Sequence, residues 1–181
     1  MAVEVLTENF LLGGNSVCLE LTADNRGLIS CILLDKQVQV SSRTDNRFLM
    51  QAAEDLQRYF GGMLQKFNTH VAPDGTLFQQ QVWTATATIP FGEMRSYAWV
   101  AEQIGNPKAV RAVAQALGAN PLLLFVPCHR VIRSDGSIGG FSCGLHWKHL
   151  LLAREGVSLP LQGSAHKTLT TTRLSTSDGF L

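Results

Sequence analysis

No apolar run in this 181-residue sequence reaches the roughly 18 residues that a membrane-spanning helix needs. The opening MAVEVLTENF carries acidic residues and lacks the basic start and apolar stretch of a secretory leader. A cytoplasmic protein is therefore expected, or a nuclear one in a eukaryote, with no membrane partner. The four cysteines, Cys18, Cys31, Cys128 and Cys143, form no CxxC pair, no regular framework and no zinc-ligand spacing, so free thiols are expected. The sequence has no P-loop, GxSxG, HExxH or Rossmann glycine fingerprint, and no internal repeat. Charged residues are only 16%, yet 45% hydrophobic residues exclude wholesale disorder and provide for a sizeable core.

The formal net charge of +1 is unevenly spread. Residues 1–75 carry six Lys/Arg against nine Asp/Glu, and residues 76–160 carry seven against four. A mildly acidic first part and a mildly basic second part suggest different partners. The imbalance is no larger than ordinary surfaces show and does not by itself indicate nucleic acid.

Residues 3–40 read as strands: Val17, Leu19 and Leu21 alternate, Asp24-Asn25-Arg26-Gly27 makes a turn, and Leu28 to Leu34 is a second apolar run. Arg47 to Phe60 reads as a helix with Leu49, Ala52, Leu56 and Phe60 on one stripe, Asp45 as N-cap and Gly61 past its end. The turn-rich stretch 68–75 suggests a boundary, dividing a β-rich domain (1–72) from a helical one (76–160). The fold class is α/β in the α+β sense. A Ser/Thr-rich tail, 161–181, is expected to be disordered.

In the second part, Phe78, Val82, Ala85 and Ile89 fit one helical face, closed by Pro90 and Gly92. Ser96 can cap a helix from Tyr97 to Ile104, ended by Gly105. Asn106-Pro107 then reads as the start of another that runs to about Leu117. Two short helices joined around a glycine are a helix-turn-helix candidate. On the second, Val110, Val113, Ala114 and Leu117 fall on one apolar face, Lys108, Arg111 and Gln115 on another, and Ala109, Ala112 and Ala116 form a patch of small side chains. That is either a core helix with a solvated side or a helix whose small face approaches a groove, with Lys108 meeting phosphate and Arg111 reaching between bases.

Cys128 lies between Pro127 and His129. A thiol becomes a nucleophile when a base or positive surroundings favour the thiolate. Adjacent side chains usually diverge, so a bridging water would carry the proton to His129, and Glu155, beyond a glycine-rich loop from Asp135 to Gly144, is a candidate to orient the imidazole. The alternative is a buried small hydrophobe beside a core histidine. Cys18 and Cys31 sit in strands and read as passive. Cys143 lies in the glycine-rich loop and reads the same way. A last helix runs from about Leu145 to Glu155.

The run Pro127-Cys128-His129-Arg130-Val131-Ile132 closely resembles the active-site signature of the O6-alkylguanine-DNA alkyltransferases, the methylated-DNA–protein-cysteine methyltransferases. Phe91-Gly92-Glu93, Ser96-Tyr97, Gly105-Asn106-Pro107-Lys108-Ala109, Arg111-Ala112-Val113, Asn120-Pro121 and Leu152-Ala153-Arg154-Glu155-Gly156 also look like blocks of that family, in its order. They cover roughly residues 76–157, whereas the first 70 residues resemble the family's N-terminal domain, ribonuclease-H-like, only in outline.

The resemblance implies a monomeric, single-turnover repair protein. It binds double-stranded DNA carrying O6-alkylguanine through the minor groove and rotates the damaged base out of the stack. It implies that Arg111 fills the vacated space while Lys108, Ala109 and Ala112 lie on the DNA. Tyr97 assists flipping and gives a proton toward guanine N3. Cys128 attacks the alkyl carbon, activated through water, His129 and Glu155, with Asn120 bracing the turn. Backbone groups at Cys128 and Val131 accept from the exocyclic amine, the Ser142 amide donates to O6, and Leu117, Val131, Phe141 and Ser142 line the pocket. No metal or organic cofactor is implied. The places aligned with zinc ligands in some members appear as Asp24 and Ile29 here. The chain also departs from the family pattern: Phe141 stands for a frequent tyrosine, Cys143 for a common glycine, and Leu123 for a proline of some members. Methyl transfer is the expectation, from O6 of guanine and more weakly from O4 of thymine. A flipping module that transfers nothing and a multiple-turnover thiol hydrolase are the alternatives. The first lacks the nucleophilic cysteine; the second leaves Tyr97, Arg111 and the paired helices without a role.

Overall fold

The computed structural model describes residues 2–34 and 44–158. The expected tail, and the end of the strand reading at 35–40, lie outside these residues. Three strands, β1 (Glu4–Leu12), β2 (Asn15–Ala23) and β3 (Leu28–Leu34), form an antiparallel meander in the order β1-β2-β3. Leu12 pairs with Asn15 across Gly13 and Gly14, whose φ angles of 55° and 79° give the doubly left-handed turn that matches strand twist. Leu19, Leu21, Ala23 and Leu28 are buried on the sheet.

Helix α1 (Arg47–Phe60) covers this sheet. Its limits match the sequence reading, but its cap does not. Asn46, not Asp45, accepts from the backbone N–H groups of Phe48 (3.0 Å) and Leu49 (3.4 Å), sitting one residue nearer the first turn. The inward stripe is Leu49, Ala52, Asp55, Leu56 and Tyr59. Phe60, expected inside, is half-buried and stacks on Phe10. Asp55 is tolerated because its carboxylate accepts from the Asn68 and Thr69 amides and the Thr69 hydroxyl, which fastens the following chain to α1.

The second part is helical. Helix α2 (Leu77–Ala87) starts on a reciprocal cap between Thr76 and Gln79. A two-residue strand, β4 (Arg95–Ser96), leads into α3 (Tyr97–Gln103), capped by the Ser96 hydroxyl as the sequence suggested. Gly105 then takes a φ of 70°, and the chain turns into α4 (Val110–Gly118). Asn106-Pro107 does not begin that helix. The Ala109 amide closes a turn on the Asn106 carbonyl (2.9 Å), and helical bonding begins where Val113 N–H reaches Ala109 (2.8 Å). Inward faces also differ from the periodicity. On α2 the buried side chains are Val82, Trp83 and Thr86; on α4 they are Val113, Ala116 and Leu117, while Val110 and Ala114 are exposed. The cause is the Trp83 indole, which donates to the Ala116 carbonyl (2.9 Å) and turns Ala116 inward where α4 packs between α2 and α3.

The segment 122–126 is wholly buried and joins the two parts. The Cys31 amide donates to the Pro121 carbonyl (2.8 Å), and the Leu123 amide donates to the Cys31 carbonyl (2.9 Å). A short 3₁₀ turn (Cys128–Arg130), strand β5 (Val131–Ile132), paired in parallel with β4, and helix α5 (Leu145–Arg154) complete the fold. Among the described residues no helix is long and apolar enough to cross a membrane.

Candidate active site

Cys128 opens the 3₁₀ turn at the end of the buried segment and is 6% exposed. Asn120 braces it. Its Nδ2 donates to the Val126 carbonyl (2.9 Å) and lies 3.3 Å from Cys128 Sγ, while its Oδ1 accepts from the Leu122 amide (3.0 Å). One side chain thus fixes both ends of the loop that carries the thiol. Leu124, inside that loop, holds a φ of 72°, a strained value for a residue with a Cβ. Burial pushes the Cys128 thiol up to about 11, against the opposing hydrogen bond from Asn120, so it is protonated at neutral pH and needs a base.

His129 has no exposed surface. Its Nε2 meets Glu155 Oε1 at 2.8 Å, while its Nδ1 is buried and makes no hydrogen bond among the described residues. Burial lowers the imidazole below its ordinary range, overriding Glu155, so His129 is neutral and basic near pH 7.

Glu155 caps the C-terminus of α5 and is the hub of a buried network. Oε1 accepts from His129, from Arg130 Nη2 (2.9 Å) and from the Tyr59 hydroxyl (2.9 Å). Oε2 accepts from Arg130 Nε (2.8 Å) and the Gly92 amide (3.2 Å). Burial alone would raise this carboxyl, but the His129 and Arg130 bonds dominate and hold it at about 2. Arg130 also donates to the Ile89 carbonyl (2.6 Å), so its buried charge is both neutralised and hydrogen-bonded.

Tyr97, first residue of α3, is half-buried. Burial raises its phenol, and the nearby Cys128 raises it further. The glycine-rich loop lies directly on its ring: a Cβ built on Gly139 would sit 3.0 Å from the hydroxyl. Lys148, on α5, is fully buried and donates to the carbonyls of Val131 (2.7 Å), Ile138 (2.6 Å) and Gly140 (3.2 Å), pinning that loop. Burial pulls its ammonium down to about 8.

The remaining expected residues are scattered around this centre. Lys108 and Arg111 are exposed, Lys108 in the turn before α4 and so off the helical face expected from the sequence, Arg111 in the first turn of α4, and Ala109 and Ala112 are half-buried. Ser142 is exposed in a turn. Leu117, expected in a pocket, is buried in the helical core, 5% exposed. Phe141 and Leu123 line an apolar crevice against Leu12, Val17, Leu19 and Phe60 of the first part, so their side chains brace the sheet side. The Val131 carbonyl already accepts from Lys148, and the Cys128 carbonyl from the Val131 amide. Tyr59, Arg130 and Lys148 were given no role from the sequence. Lys148 carried a legible signal, because it shares the buried α5 stripe with Leu151 and Leu152 at helical spacing.

Comparison with known proteins bears on this geometry. The family model for the DNA-binding domain of 6-O-methylguanine DNA methyltransferase matches residues 77–157. The methylated-DNA–protein-cysteine methyltransferase of Methanosarcina acetivorans is 43% identical over 140 residues, covering 75% of this chain and 90% of that protein. Its namesake in Methanosarcina mazei is 40% identical over 139 residues, with 75% and 88% covered. The crystal structure of Mycobacterium tuberculosis O6-methylguanine methyltransferase superposes with a TM-score of 0.73 at 36% identity, over 85% of this chain and 93% of that one. The Mycobacterium tuberculosis protein in complex with DNA gives 0.68 at 40%, over 76% and 86%. With matches of this identity spanning nearly the full length of the relatives, the chain belongs to the methylated-DNA–protein-cysteine methyltransferase family.

Proposed function

We propose that this protein repairs DNA by direct reversal, taking the alkyl group from O6 of guanine, and more weakly from O4 of thymine, onto Cys128 once per molecule. The observation that carries the reading is a protonated, Asn120-braced thiol beside a neutral histidine whose other nitrogen is held by a buried carboxylate. A buried imidazole with one nitrogen fixed by Glu155 has its other, Nδ1, available to a water that relays the thiol proton.

In the reaction, a bond forms between Cys128 Sγ and the alkyl carbon as the carbon–O6 bond breaks. The thiol proton passes to His129, and Tyr97 gives a proton toward N3, so the base leaves as neutral guanine. The imidazolium proton then restores the phenol. The thioether is inert to water, and the protein is spent. No step requires a metal or organic cofactor.

Double-stranded DNA is the partner, met in its minor groove by the helix pair α3–α4. Arg111 fills the place of the flipped base, Lys108 meets phosphate, and Ala109 and Ala112 permit close approach. The exposure of Lys108 and Arg111 at the start of α4 supports this. Val131, Ser142 and the loop over Tyr97 bound the base. We infer a monomer in the cytoplasm, where a reducing environment keeps the thiol free.

The test is incubation with a methylated duplex, followed by intact mass and peptide mapping. One adduct of about +14 Da on the peptide holding Cys128 is expected, the mass of a methyl replacing a proton on a covalently modified nucleophile. Cys128→Ala should form no adduct while still binding DNA. Label on another residue, multiple turnover, or binding without any adduct would refute the reading.

A further inference from the structure

We infer that Tyr59, on α1 and outside the matched stretch 77–157, is a positioning residue for the His129–Glu155 pair, so that the N-terminal part completes the reaction centre; this rests on the roles proposed above for His129 and Glu155. The Tyr59 side chain is 1% exposed. Its hydroxyl donates to Glu155 Oε1 at 2.9 Å, the same oxygen that meets His129 Nε2 at 2.8 Å. Its carbonyl accepts from Arg154 Nη2 at 2.7 Å. Consecutive residues at the end of α5 therefore grip Tyr59 by side chain and backbone. Around the ring, Phe60, Phe67 and Phe91 pack at centroid distances of 5.4, 5.3 and 6.2 Å, which leaves the phenol no room to swing.

The chemistry follows from sharing one oxygen. His129 and Arg130 come from the 3₁₀ turn, Lys148 and Arg154 from α5, and Glu155 caps that helix; Arg130, Lys148 and Arg154 are the charged groups around the pair, together with the Gly92 amide. Tyr59 adds a neutral hydroxyl donor and is the contribution of α1. Burial, and then the carboxylate beside it, drive the phenol far above its ordinary value, so it remains a donor at every working pH. Each donor on Oε1 draws off part of the negative potential that His129 feels. With the hydroxyl removed, the carboxylate pulls harder on Nε2–H and favours imidazolium. The base is then withdrawn from the thiol at a higher pH, and the imidazole loses a lateral brace.

The test is single-turnover transfer to the full chain from about pH 5 to about pH 9, expressed per titrated active thiol, where the acid limb reports the essential base. For Tyr59→Phe the acid-limb midpoint should move up by roughly half a unit to one unit, a loss of about 1.5- to threefold in rate near pH 6 that grows toward about three- to tenfold at the acid end of the range, with near parity near pH 8. Phe67→Leu, which removes ring packing on Tyr59 but no donor, should lower stability and leave the midpoint in place. A second measurement spares the fold. The chain has two tyrosines, so fluorotyrosine in a Tyr97→Phe background labels Tyr59 alone, and the stronger donor should lower the midpoint relative to unlabelled Tyr97→Phe. Unchanged midpoints in both, or an equal shift in Phe67→Leu, would overturn the inference. Absence of any acid limb in the wild type, or of label on Cys128, would instead overturn the reading on which it rests.

Discussion

Replacing Glu155 with glutamine should cost much of the protein's stability, and the structure sets the size of that loss. The carboxylate accepts five hydrogen bonds, from His129, Tyr59, Gly92 and twice from Arg130. An amide keeps one acceptor oxygen. Whichever way it turns, its NH2 faces two or three donors, and the buried Arg130 guanidinium loses its counter-charge. Removing one partner of a buried ion pair costs about 3–5 kcal/mol. A second route gives a similar figure: a carboxyl held at about 2 rather than its ordinary 4.5 contributes roughly 3 kcal/mol of stability at neutral pH. The sign follows from the lowered value. The contribution is complete above about pH 4.5, where the unfolded carboxyl is ionised, and is lost as the pH falls toward about 2. Urea unfolding of Glu155→Gln near pH 7 should therefore show a deficit of about 3–5 kcal/mol, with a melting temperature lower by roughly 6–20 °C. Near pH 3 the gap to wild type should have narrowed by about 2 kcal/mol, because the wild type has by then surrendered much of its advantage. A deficit below about 1 kcal/mol at neutral pH, or a gap that stays constant on acidification, would refute this account of the network.

Three further outcomes are expected. Arg111→Ala should slow repair of duplex DNA by about tenfold or more while leaving transfer from the free modified base nearly unchanged, since only the duplex needs its gap filled; equal losses on both substrates would contradict the role. Tyr97→Phe should slow transfer by about 10²-fold or more without weakening DNA binding to the same extent, in single-turnover assays with titrated protein, as expected for loss of a positioned proton donor. In the wild type, transfer should hold level from about pH 8 down to about 6.5 and fall only below that, because burial lowers His129 and keeps it neutral there. A limb centred well above that range would contradict a lowered imidazole.

Local chemistry made the fold legible where it acts alone. Alternation gave the strands, Ser96 gave the start of α3, and the Pro127–Ile132 run gave the family and its thiol. The errors arose where a distant group outweighed a local pattern. Asn106-Pro107 is a good helix start in isolation, but α4 begins later, and its face is turned by an indole 33 residues away, that of Trp83. The stripe on α1 selected Phe60 in place of its neighbour Tyr59, because the pull on Tyr59 comes from a carboxylate 96 residues further on. Glu155 itself was reachable by asking what orients a histidine. Its other four donor bonds were not, because Arg130, Gly92 and Tyr59 meet it only once the sheet and helices are assembled.

The contact between Gly139 and Tyr97 bears on how the glycine-rich loop can move. Glycine offers no side chain to rotate aside, so extra room next to the phenol must come from moving the main chain of the loop. That main chain is tethered through Ile138 and Gly140 to a single lysine. Any widening beside the phenol therefore requires Lys148 to release the carbonyl groups that it holds on either side of Gly139.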